Sequence, residues 1–151
     1  MNILLITEQR DAQWNKVSFE TLAAAQQIVQ QTKGTLAGVV IGKGISALAS
    51  DLSAYQLDEV LAVEHDLLEK YTPDGFSLAL GQIIEAAKPD LVLFPHTYQV
   101  RDFAPKLAAS LHKGMIGDCV AYRYDSNKLI FVRQMFQGRT SADVVFTGDA
   151  P

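Results

Sequence analysis

The chain has 151 residues, enough for one domain with a real core and too few for two comfortable ones. Hydrophobic residues make up 48% and charged residues 20%, which excludes a disordered chain, and no apolar run approaches the roughly 18 residues of a membrane span. The net charge is -4, with the 13 Lys and Arg scattered and no basic run, which argues against a nucleic-acid partner; the single cysteine, Cys119, rules out an intrachain disulfide or a thiolate metal cluster.

Asn2–Thr7 is a continuous apolar run of strand length, the pattern of a strand covered on both faces. Residues 8–16 are polar and read as a loop. From Val17 to Gln31 the period changes, with Phe19, Leu22, Ala25 and Val29 on one face of an amphipathic helix and Gly34 as its stop. Thr35–Ile41 is a second buried strand, and Gly42 and Gly44 open a short helix over Ser46–Tyr55. Asp58–Val63 is a third strand, followed by a polar connection over 64–73.

Asp74 is placed to cap a helix running to Lys88, with Phe76, Leu80, Ile83, Ile84 and Ala87 inward. Asp90–Phe94 is a fourth strand. A fourth helix over Val100–His112 turns Phe103, Ala104, Leu107, Ala108 and Leu111 to one side, with Pro105 near its start and Gly114 closing it. Cys119–Tyr124, Leu129–Phe136 and Ala142–Phe146 then read as an antiparallel meander, with Asp125–Lys128 as a turn and Gly138 as a break. Four strand–helix units imply an α/β fold: a mostly parallel, doubly wound sheet with helices on both faces and an antiparallel C-terminal strand extension that extends or flanks that sheet, in one domain over residues 1–151.

Little of this carries chemistry. Gly42-Lys43-Gly44 matches neither a dinucleotide fingerprint nor a P-loop and reads as a tight turn before a helix; Thr7-Glu8-Gln9-Arg10 holds no glycine. His65, His96 and His112 lie on separate elements without metal-ligand spacing, so no metal is expected. No nucleophile elbow is present and no catalytic residue is expected; Cys119 reads as a small apolar strand residue. Pairs such as Asp58-Glu59 and Glu64/Asp66 read as solvated loop ends.

Pro95–Asp102 is the most distinctive segment, because it leads from the C-terminal end of a parallel strand into a helix, where open α/β sheets bind ligands. Thr97 and Arg101 can hold a phosphate or a partner's carboxylate there. Equally, Asp102 can cap its own helix while Arg101 pairs with a neighbouring acid. Arg133, Gln134, Gln137 and Arg139 form either a solvated sheet face or a contact with another domain, and Phe131, Met135 and Phe136 beside them suit either.

The words ILLITE, EHDLLEKYTPDGFSLALGQII, KPDLVLFPHTYQVRDFAPKLAASL, GMIGDCVAYRYD and FVRQMFQGRTSADVVF, in this order, resemble electron transfer flavoprotein alpha subunits over nearly all of the chain. The most specific piece is Arg101-Asp102-x-x-Pro105-Lys106-x-Ala108-Ala109, followed by Gly117-Asp118. Val100 stands where the family commonly has Gly, and Lys106 where it often has Arg.

The resemblance implies a three-layer, adenine-nucleotide-hydrolase-like N-terminal domain that packs on an electron transfer flavoprotein beta subunit. Arg101, Asp102, Arg133 and Arg139 are its interface candidates. It also implies a complex that carries electrons from dehydrogenases, such as acyl-CoA dehydrogenases, to a quinone reductase. FAD would be held by a further domain, since its glycine- and arginine-rich motifs do not occur before Asp149-Ala150-Pro151. The bacterial cytoplasm is the expected compartment, ahead of a mitochondrial matrix, with no membrane insertion. The alternative function is a stand-alone adenine-nucleotide-binding module of the same fold, for which Gly138-Arg139-Thr140-Ser141 is the nearest phosphate-loop candidate. An ATP-pyrophosphatase reading lacks its motif after the first strand.

Overall fold

A computed structural model describes residues 1–147; Asp149-Ala150-Pro151 lie outside the described residues. The elements are strand β1 (Asn2–Ile6), a short hairpin of β2 (Gln9–Arg10) and β3 (Gln13–Trp14), helix α1 (Val17–Thr32), β4 (Thr35–Gly42), α2 (Ser46–Leu52) and β5 (Glu59–Glu64). A 3-10 turn at Asp66–Leu68, α3 (Pro73–Ala87), β6 (Leu91–Leu93), α4 (Tyr98–Ser110), β7 (Cys119–Asp125), β8 (Lys128–Met135) and β9 (Thr140–Val144) follow.

The unbroken apolar run of β1 makes sense in three dimensions, because no residue from Ile3 to Ile6 is more than 2% exposed. Side chains alternate across a strand, so Ile3 and Leu5 enter one core with Leu22, Ala25 and Ile28 of α1, whereas Leu4 and Ile6 enter a second with Phe76, Leu80, Phe103 and Leu107 of α3 and α4. β4 divides in the same way, with Leu36 and Val40 on the α1 side and Val39 and Ile41 on the other. Burying each such aliphatic side chain contributes about 1.5–3 kcal/mol. The parallel sheet has the order β5-β4-β1-β6, with β1 in register against β4 on one side and β6 on the other.

Helix ends differ from the sequence reading in informative ways. α1 ends at Lys33 in the left-handed conformation, and Gly34 is needed for space, since a Cβ there would lie 1.8 Å from the Met1 carbonyl oxygen. α3 is capped by Thr72, whose hydroxyl accepts the Gly75 N–H at 3.3 Å, with Pro73 in the first turn; Asp74 instead pairs with Lys106 of α4. Ala87, expected inward, is exposed at the end of that helix. α2 stops at Leu52, short of Tyr55.

α4 starts two residues earlier than its periodicity suggests, because Thr97 accepts the Val100 N–H at 3.1 Å and so caps it. That puts Pro105 inside the helix, on its exposed side, where it removes the bond to the Arg101 carbonyl. Val100, Phe103, Ala104 and Leu107 are buried, with Leu111 packed at the edge of the same core.

The last three strands form the expected antiparallel meander as a sheet of their own, of order β7-β8-β9, flanking the parallel one. It flanks the α1 side: Phe131 is 7% exposed within the first core, Tyr122 and Leu129 pack against that core, and the Tyr122 hydroxyl donates to Gln27 of α1 at 3.3 Å. Left-handed Ser126 and Asn127 form the first hairpin turn. β8 ends at Met135, so Phe136 belongs to the next turn and is 75% exposed. Among the described residues, no helix is long and apolar enough to cross a membrane.

Candidate functional site at the sheet's switch point

Strand order reverses around β1, which sends the connections after β1 and β6 to opposite sides and opens a crevice beyond the strand ends. It measures about 850 Å³ and is lined by residues of the β2–β3 hairpin, by Asn15, and by Glu8, His96, Thr97 and Tyr98. The hairpin, which replaces the loop expected over 8–16, turns through Asp11 and Ala12, both left-handed at φ 52° and 57°.

Glu8 is the centre of this crevice. Its carboxylate accepts from the Thr97 hydroxyl and, on the other oxygen, from the Asn15 amide at 2.8 Å. Its backbone is held at both ends, with the Glu8 N–H donating to the Ser18 hydroxyl at 2.8 Å and the Asn15 N–H donating to the Glu8 carbonyl at 3.0 Å. Thr7 beside it is 3% exposed and donates to the Val39 carbonyl at 2.7 Å. A protein carboxylate therefore stands at the α4 N-terminus, where the helix dipole favours negative charge and where a ligand phosphate would otherwise be attracted.

The other sequence candidates separate. Thr97 lies in the crevice as the helix cap. Arg101 is exposed one turn further on, with its guanidinium 5.8 Å from the centre of the Tyr98 ring. Asp102 does not cap α4; it accepts the Tyr71 hydroxyl at 2.6 Å. Burial first, and then that bond, push the Tyr71 hydroxyl well above the usual tyrosine range. Arg133 and Arg139 sit on the three-stranded sheet, Arg133 half-buried with its Nε unpartnered among the described residues and Arg139 exposed after the turn at Gly138.

Neither glycine segment makes a phosphate cradle. Gly42 and Gly44 take positive φ as a tight turn, and the Gly44 N–H donates to the Glu64 carboxylate at 2.7 Å, while Lys43 pairs with Asp66 at 3.4 Å and Glu69 at 3.2 Å. Glu64 and Asp66 are exposed, as expected of solvated loop ends, and also tie down this turn. Asp58 likewise accepts the Leu36 N–H at 2.7 Å. Gly138-Arg139-Thr140-Ser141 is a strand connection that leads into β9, not into a helix.

Cys119 is exposed, contrary to its reading as a packed residue, with its sulfur against the Ile116 carbonyl at 3.7 Å. Partial desolvation of that sulfur raises its pKa against the opposing pull of Arg133. His65 accepts the Leu67 N–H at 3.1 Å, and His96 lies 3.7 Å from Asp118. Among the described residues, no group of three or more His, Cys, Asp or Glu is placed to hold a metal ion.

Glu8 and Asn15 escape a search for glycine-rich loops. The available signal is a carboxylate directly after an apolar parallel strand, followed within seven residues by an amide.

The family model described as "Electron transfer flavoprotein domain" matches residues 3–151. The chain belongs to the electron transfer flavoprotein family. It is 34% identical over 145 residues to the electron transfer flavoprotein subunit alpha of Bacillus subtilis, covering 96% of this chain and 44% of that one. The same identity and coverage hold for the alpha subunit of Syntrophomonas wolfei. It is 29% identical over 129 residues to the acryloyl-CoA reductase electron transfer subunit beta of Anaerotignum propionicum, covering 85% of this chain and 35% of that one. The electron transfer flavoprotein chain described here thus spans less than half the length of these curated relatives.

Proposed function

We propose that this chain is the N-terminal structural and partner-binding domain of an electron transfer flavoprotein alpha subunit, with no flavin or catalytic site of its own. The observation that carries this reading is the Glu8 carboxylate bonded to Thr97 and Asn15 in the switch-point crevice. A flavin or adenine nucleotide seated there would bring its phosphate against a carboxylate, at a helix start whose capping hydroxyl is already used. These residues do not fit the FAD that the family implies, so FAD is assigned to another part of the complete protein. The same feature disfavours the stand-alone adenine-nucleotide module.

In this reading the domain assembles with an electron transfer flavoprotein beta subunit through an exposed face, and Arg101 is its first interface candidate. The assembled complex passes electrons from flavin dehydrogenases, such as acyl-CoA dehydrogenases, to a quinone reductase, and it works in the bacterial cytoplasm. Thermal melts of the purified chain with millimolar AMP or FAD test the proposal. No shift in Tm is expected. A saturable rise with AMP would favour the nucleotide-binding module instead.

A further inference from the structure

We draw no further inference here: the strongest candidate, the largely apolar cavity of about 610 Å³ beside the edge strand β6, lined by Leu93, Leu107, Leu111, Ile116, Phe131 and Phe146, is an unpartnered apolar surface, and nothing among the described residues shows what covers it.

Discussion

The Thr97 hydroxyl donates to the Glu8 carboxylate, joining the end of β1 to the cap of α4 across 89 positions of sequence. One contact thereby closes the crevice between two diverging connections, fixes the start of a helix and places a negative charge where the fold would otherwise attract an anion. The same Thr97 oxygen accepts the Val100 N–H, so capping and closure share one atom.

Removing either partner should therefore cost stability. Glu8→Ala is expected to destabilise by about 1–3 kcal/mol, through lost bonds from Thr97 and Asn15. Thr97→Ala should cost about 0.5–2 kcal/mol through the lost cap. Because the residues share a bond, the double variant should cost less than the sum. Urea midpoints of the four proteins check this, and strict additivity would show that the contact does not form.

Leu107→Ala removes a side chain that is 2% exposed in the core beneath α3 and α4. The expected loss is about 2–5 kcal/mol, read from chemical denaturation. An unchanged midpoint would contradict the placement of that helix face.

Tyr71 supplies a pH signature. Its hydroxyl holds its proton more tightly in the folded chain than in the unfolded one, through burial and the bond to Asp102. The unfolded chain then releases this proton first, so the stabilisation is complete below about pH 10, the ordinary tyrosine value, and declines above it. Tyr71→Phe should flatten the alkaline part of the stability curve. An identical alkaline slope in the variant would rule this contribution out.

Arg101→Ala should leave stability within about 0–1 kcal/mol of the parent, as befits an exposed charge, while weakening assembly with a beta subunit. A large fall in Tm with assembly intact would instead assign Arg101 a structural role.

Much of the fold could be read from hydrophobic period. Ile3–Ile6 is apolar at every position because alternate residues face different cores, and Phe103, Ala104 and Leu107 recur at helical spacing because α4 covers one of them. Helix starts were harder, since Thr72 and Asp74, or Thr97 and Asp102, are all chemically suitable caps, and only backbone geometry selects the threonines. Alternation predicts the three C-terminal strands but leaves open whether they extend or flank the parallel sheet, because it gives strand character without giving partners; the structure has them flanking it. Thr97 is legible as part of the site from its place before a helix, whereas Glu8 is not. Its importance comes from a contact with a residue 89 positions away, which no local pattern contains. Ala12 in a left-handed turn is similarly invisible to residue preference.

The most direct measurement is gel filtration of the chain co-expressed with the electron transfer flavoprotein beta subunit of its own organism, followed at protein and flavin wavelengths and with nucleotide content determined on the pooled chain. The two proteins are expected to elute together, and the chain, once separated from its partner, to carry neither flavin nor adenine nucleotide. Elution of the chain by itself with stoichiometric flavin or AMP bound would contradict the proposed function.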